Sequence, residues 1–151
     1  MFWITLQSVP ELNGQSLVKN ESEDKIINHI HTSLNVKLND NMLLVPNGMG
    51  INSTLWNDHS LDKYGTKSKS TTFGVINPAM SPLHTHDSSG IIHAESTEIK
   101  NYTLGQFLQI WSVNLENRNV ALLVDGNPVD VYSSHTLSDN ERLTLIFGNQ
   151  R

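Results

Sequence analysis

Residues 81–96 read SPLHTHDSSGIIHAES, and the architecture can be inferred outward from them. Residues 88–90 are Ser-Ser-Gly, a composition typical of a turn, in which glycine supplies the positive φ angle. The stretch therefore predicts a β-hairpin over residues 83–96.

The register of this hairpin decides which side chains share a face. With a two-residue turn, His86 lies opposite His93, and His84 lies opposite Glu95. Directly opposed residues point to the same side of a sheet, so one face carries three imidazoles and a carboxylate. A slip of one residue would move His93 to the other face.

Strand patterns flank the hairpin on both sides. Residues 34–38 alternate apolar and polar side chains, which is typical of a half-buried strand, and residues 42–45 form its return strand. Downstream, residues 120–124 have the composition of a buried strand and end in an Asp-Gly turn at 125–126. Residues 143–147 are predicted to be the last strand.

One convincing helix is predicted, over residues 103–113. Thr103 and Gln106 have the spacing of a capping box. An apolar stripe at helical spacing needs a sheet to cover. Its members are Leu104, Phe107, Leu108 and Trp111.

Because strands outnumber helices, we predict an α+β fold: a mostly antiparallel β-sheet with one main helix on one face. The order of helix, hydrophobic strand, Asp-Gly turn and terminal strand is similar to that of ubiquitin-like β-grasp domains. An all-β sandwich or barrel is the alternative.

The 151-residue chain is predicted to hold one domain and an N-terminal extension. Residues 1–25 form the extension, with a strand at 2–9 and a mobile connector, and residues 26–151 form a single His-rich, metal-binding, β-rich domain. The net charge is −5, which argues against nucleic acid as a partner. No run approaches the roughly 18 apolar residues of a transmembrane segment.

Histidine is the residue type that points to chemistry, since the chain has seven histidines and no cysteine. Without cysteine, thiolate zinc sites and iron–sulfur clusters are excluded. His29 and His31 form a second His-x-His pair, whose members share a face if they lie on a strand. The two pairs either converge on one site or make two sites. The predicted metal ligands are His29, His31, His84, His86 and His93.

Four residues are weaker candidates. Asp87 either orients a ligand imidazole or caps the turn. Glu95 is a fourth ligand, a general base or a solvated strand residue. His59 and His135, taken alone, have the ordinary roles of surface or core histidines.

An all-imidazole site suits Cu(II) or Zn(II). The leading hypothesis is a metal-binding domain for metal storage, delivery or structural stabilisation. A metal-dependent hydrolase or hydratase with a three-histidine site is the first alternative. The second is a surface or filament assembly module, in which residues 2–9 pair with a neighbouring copy as a homo-oligomer.

A resemblance to a known family rests on the His-Thr-His-Asp block of residues 81–96, followed by Tyr-Thr-Leu-Gly-Gln-Phe at 102–107. These residues resemble a family of uncharacterised proteins that is abundant in ammonia-oxidising archaea and occurs in some bacteria. Residues 55–65 and 124–129 are similar to its archaeal branch. The resemblance covers about residues 29–148 and implies no particular reaction.

The same resemblance implies where the protein works and which residues matter. Family members often carry a leading membrane anchor or signal, which implies an extracytoplasmic location, secreted or surface-associated; such a leader is absent from this chain. Many relatives have a third histidine where this chain has Ser33. The resemblance also adds His59 and His135 to the candidate ligands.

Overall fold

The structure is a computed structural model that describes residues 25–69 and 76–150. These ranges contain nine strands, one α-helix and two short 3-10 helices. The strands are β1 (Asn28–Leu38), β2 (Asn41–Leu43), β3 (Thr66–Lys69), β4 (Ile76–Met80), β5 (Leu83–His84), β6 (Ile91–Ser96), β7 (Arg118–Val124), β8 (Asn127–Val129) and β9 (Arg142–Gln150). The helix α1 is Leu104–Trp111, and the 3-10 helices are Ser53–Leu55 and Asp62–Tyr64. The predicted strand at 2–9 lies outside the described residues and stays a prediction.

Seven of the strands form one mixed sheet in the order β5-β6-β1-β9-β7-β8, with β2 also paired to β1. Strands β1 and β9 run parallel, and the other neighbours in this sheet are antiparallel. Strands β3 and β4 pair separately as a small second sheet. The predicted α+β class, mostly antiparallel with one helix, is confirmed, and the all-β alternative does not describe the molecule.

The first and the last strand in chain order, β1 and β9, lie side by side in the centre of the sheet. Strands β6, β1, β9, β7 and β8 are neighbours in that order, and α1 lies between β6 and β7 in the chain. This is the strand order of a β-grasp sheet. Its consequence for the site is that β1 is paired to β6 on one side and to β9 on the other.

Helix α1 begins where its capping sequence predicts. The Thr103 hydroxyl accepts a hydrogen bond from the Gln106 amide, and the Gln106 side chain accepts one from the Thr103 amide. The helix ends at Trp111, earlier than predicted, because Ser112 adopts a left-handed backbone with φ 64°. Within the parts of the chain that the structure describes, no helix has the length and apolarity needed to cross a bilayer.

Alternation along β1 and β6 separates a core face from a histidine face. Leu34 and Val36 of β1 and Ile92 and Ala94 of β6 are buried in the same hydrophobic core as the inner face of α1. Side chains alternate along a strand, so the histidines at intervening positions point away from this core. The histidines of β1 and β6 therefore lie on the sheet face that points away from helix α1.

The predicted register of the second hairpin is wrong by two residues. In the structure His84, and not His86, lies opposite His93. After His84 the chain leaves β6, because Thr85 pairs through its backbone with Gly48 and Met49 instead. A shift of two residues preserves the side on which a side chain lies, so His84 and His93 still share a face.

Candidate metal centre

Three adjacent strands bring histidines from distant parts of the chain to one face. His31 of β1 lies opposite His93 of β6, and His84 of β5 lies on the other side of His93. Two residues further along the same two strands, His29 lies opposite Glu95. Both His-x-His pairs therefore converge, because β6 lies between β1 and β5.

The donor atoms of this cluster fall into two sets of four. Within each set, the ligand atoms all lie within 4.8 Å of one another, which allows them to hold a metal ion. The sets share two members. They are His29, His31, His93 and Glu95, and His84, His86, His93 and Glu95. We call these six residues the histidine cluster.

Each His-x-His pair turns its Nε2 atoms toward each other. The two Nε2 atoms are 3.1 Å apart in the pair His29 and His31, and 3.2 Å apart in the pair His84 and His86. The His93 ring lies between the pairs, with ring centroids 4.6 Å from His31, 4.5 Å from His86 and 5.4 Å from His84.

Glu95 lies among the rings and is largely buried. Its Oε1 is 3.0 Å from Nε2 of His29 and 3.6 Å from Nδ1 of His93. Its Oε2 is 4.0 Å from Nε2 of His84. One carboxylate therefore faces both halves of the histidine cluster.

His84 is the most deeply buried member of the cluster. Its side chain is fully buried, and its Nδ1 donates a hydrogen bond of 2.9 Å to the backbone carbonyl of Ser81. Because a carbonyl can only accept, Nδ1 carries the proton in the neutral ring and Nε2 presents its lone pair to the cluster. A hydrogen bond from the second ring nitrogen to a carbonyl is the usual support of a metal-bound histidine.

Burial also keeps His84 neutral. It lowers the pKa of His84 to about 4, against the opposing effects of the Ser81 hydrogen bond and the Glu95 charge. Burial, followed by the proximity of His86 and His31, likewise lowers the pKa of His93. Both rings are therefore unprotonated at neutral pH and available as ligands.

Gly50 shapes the support beneath His84. Its carbonyl accepts a hydrogen bond of 2.7 Å from the Ser81 amide, and its φ is +68°. A Cβ at this position would collide with the Leu83 carbonyl and lie 3.2 Å from Cβ of His84. A glycine is required here by both backbone conformation and space.

We expect Gly50→Ala to destabilise the protein by more than about 1 kcal/mol, because an unfavourable left-handed backbone combines with a steric collision. Thermal unfolding followed by circular dichroism measures the change. Gly126→Ala is the matched control, since Gly126 has φ +86° but nothing within 4 Å of its added Cβ. Equal losses in the two variants would contradict the role given to the collision.

The two remaining histidine candidates lie outside both sets. His59 stacks on Trp56, and its Nδ1 lies 2.9 Å from Oδ2 of Asp62. His135 places Nε2 3.1 Å from Oε2 of the buried Glu141. Each is paired with a single carboxylate, so the geometry gives neither a place in the cluster.

Asp87 holds the turn that follows the second pair. Its Oδ1 accepts a hydrogen bond of 2.8 Å from the Ser89 amide, and hydrogen bonds from Ser89 lower the pKa of this exposed carboxyl. This is the turn-capping interaction, one of the two roles predicted for it. Glu95, in contrast, lies inside the cluster.

Three residues that support the cluster escape sequence reasoning. Ser81 acts through its backbone carbonyl, which no side-chain pattern can reveal. Asp139 accepts a hydrogen bond of 2.9 Å from the His31 amide, and the Asn140 amide donates to the His31 carbonyl. A separation of 108 residues between His31 and Asp139 leaves no local signal of this contact.

Comparison with known proteins adds no assignment, since no protein-family model, curated protein or solved structure matches the chain.

Proposed function

We propose that this protein is a metal-binding domain that holds Cu(II) or Zn(II) through the histidine cluster. The observation that supports the proposal is the convergence of five imidazoles and one carboxylate from β1, β6 and the segment that begins at β5, with donor atoms at ligand-to-ligand spacing. Without a metal ion, histidine side chains gain nothing from lying this close together, because neighbouring rings repel when they are protonated. A cation shared by their lone pairs offsets that cost.

The donor set favours particular ions. Imidazole nitrogen suits copper and zinc, and the chain offers no thiolate that would select Cu(I) or an iron–sulfur cluster. Affinity for divalent ions rises along the first row to a maximum at copper. We therefore expect Cu(II) to bind more tightly than Zn(II).

The exposure of the ligands supports a role in metal storage or delivery. His29, His31 and His86 are exposed, and 54% of the His29 side chain is accessible to solvent. Exposed ligands allow an ion to be exchanged with a small chelator or a second protein. In this proposal the domain works outside the cytoplasm, as its resemblance to the His-Thr-His-Asp proteins implies.

A metal-dependent hydrolase or hydratase is the second candidate, and Glu95 favours it. A carboxylate that lies within 4.0 Å of three ring nitrogens is close enough to accept a proton from metal-bound water. The concave surface beside α1, which is lined by Asn57, Gln106 and Gln109, is not part of this candidate site, because no histidine is among its lining residues. Turnover of activated esters by the metal-loaded protein, lost in Glu95→Gln, would favour this candidate over storage.

Metal binding itself is tested on the full, untagged chain after removal of metals with a chelator. Zn(II) and Cu(II) are titrated by calorimetry, and bound metal is counted by elemental analysis. We expect tight binding that weakens in His86→Ala, an exposed position, and stays unchanged in His59→Ala, a histidine outside the cluster. A wild-type chain that retains no metal after desalting would overturn the proposal.

Bound metal should also stabilise the fold. At a free Zn(II) concentration about 100 times Kd, the expected gain is about 2.7 kcal/mol, or a rise in Tm of roughly 5–10 °C. Differential scanning calorimetry with and without Zn(II) measures the shift, and excess EDTA should reverse it. An unchanged Tm would mean that the folded chain binds zinc no better than the unfolded chain does.

A further inference from the structure

We propose that the histidine cluster holds two metal ions, one at each His-x-His pair, with the carboxylate of Glu95 bridging them. This inference rests on the proposed metal binding and concerns its stoichiometry and geometry. It assigns one ion to His29 and His31 and the other to His84 and His86. His93 lies between the two positions.

The spacing within each pair fits one ion per pair. Two ligands bound to the same tetrahedral ion at 2.0–2.1 Å are about 3.3 Å apart. The Nε2 atoms are separated by 3.1 Å in one pair and 3.2 Å in the other. Each pair is therefore set to chelate an ion of its own.

The two pairs are kept apart by the strand between them. Strands β1 and β5 each pair with β6, and each pairing step in a sheet spans about 4.8 Å, so their backbones are roughly 10 Å apart. The grouping of donor atoms follows the same division: each set of mutually close atoms contains one pair, and only His93 and Glu95 belong to both.

Glu95 has the orientation of a bridging ligand. Oε1 faces Nε2 of His29 at 3.0 Å, while Oε2 faces Nε2 of His84 at 4.0 Å. A carboxylate with one oxygen toward each ion spans the roughly 3.5–4 Å that separates the ions of two-metal sites. Its negative charge also reduces the repulsion between two divalent ions whose other ligands are neutral rings.

His93 supplies an independent observation in favour of a cation site. Its Nδ1 is buried and has no hydrogen-bond partner, although Oε1 of Glu95 lies 3.6 Å away. The separation between Nδ1 of His93 and Oε1 of Glu95 suits two ligands of the same ion. A buried nitrogen without a partner is unfavourable, and a metal ion placed between ring and carboxylate would satisfy it.

Stoichiometry in the full chain tests the proposal. The stripped protein is titrated with Cu(II), and electron paramagnetic resonance follows the coupling between copper ions. We expect two equivalents and a magnetically coupled pair in the wild type. The double variant His29→Ala/His31→Ala, which changes two exposed side chains, should bind one equivalent and give an uncoupled signal.

The role of the bridge is tested with Glu95→Gln, which keeps the shape of the side chain and removes its charge. We expect the first ion to bind within a few-fold of the wild-type affinity and the second to bind at least 10-fold more weakly. Glu98→Gln, an exposed glutamate outside both sets, is the control. One equivalent with an uncoupled signal in the wild type would overturn the two-ion centre and leave metal binding standing. No bound copper at all would overturn both.

Discussion

Replacing His93 by alanine is expected to weaken the binding of both ions, by at least about 100-fold each. A ring shared by two ions binds one through each nitrogen once its N–H proton has been released to solvent, and loss of a supporting residue alone costs 10–100-fold. His93 is the only histidine that belongs to both sets of donor atoms found among the described residues. Its ring lies 4.6 Å or less from the rings of His31 and His86. Competition with a chromophoric chelator measures the two affinities.

The pair variants provide the comparison for this result. Removing His29 and His31 should spare the ion at the other pair, whereas removing His93 should spare neither. The Tm of metal-free His93→Ala establishes that the variant folds, and about 18% exposure of the His93 side chain makes that outcome reasonable. An ion that binds His93→Ala with wild-type affinity would show that the ring is not shared.

Acidification is expected to lower the free energy of unfolding of the metal-free protein by about 3 kcal/mol through His84 alone. The reason is that the pKa of His84 is 6.5 in the unfolded chain and about 4 in the folded one. Burial of the ring is the main cause of the shift. The groups that face the ring are Glu95, His86 and His93, and Ser81 binds its other nitrogen through the backbone.

The direction follows from proton binding. Between pH 6.5 and pH 4 the unfolded chain binds a proton at His84 and the folded chain does not, so stability falls as the pH falls through this window. The contribution is complete above the unfolded pKa and is lost below the folded one. Urea unfolding at several pH values from 7 to 4, in the presence of EDTA, measures the slope.

His84→Gln isolates this contribution, because an amide can donate to the Ser81 carbonyl but does not titrate. The variant should have a flatter dependence of unfolding free energy on pH, whatever its absolute stability. If wild type and variant lose stability in parallel across this window, the buried ring is not the group responsible.

Much of the fold follows from local patterns. The capping box at Thr103 and Gln106 located the start of the helix, and the alternation at residues 34–38 identified the core face of β1. These features depend on backbone geometry over a few residues, which the sequence expresses directly. The end of the helix was missed, because the left-handed conformation of Ser112 has no side-chain signature comparable to glycine.

The candidate site was predictable in its members and not in its arrangement. The five predicted histidines and Glu95 all lie in the cluster, whereas His59 and His135 lie outside both sets. The facing pair was misassigned, because the chain after His84 pairs with the turn at Gly48 and Met49 rather than with β6. That competition involves residues more than 30 positions apart in the chain.

What the amino-acid order determined alone is that His29 and His31 share a face of β1, since side chains on a strand alternate with a period of two. His86 was predicted to lie on the same strand as His84, but it follows the end of β5, so only the tertiary structure decided that these two rings meet. Tertiary structure decided that the two pairs meet. Their convergence depends on β6 pairing with both β1 and β5, and on the Ser81 carbonyl and Asp139 holding individual histidines in place. Such pairings are selected by burial of the whole core, to which residues far apart in the chain contribute together.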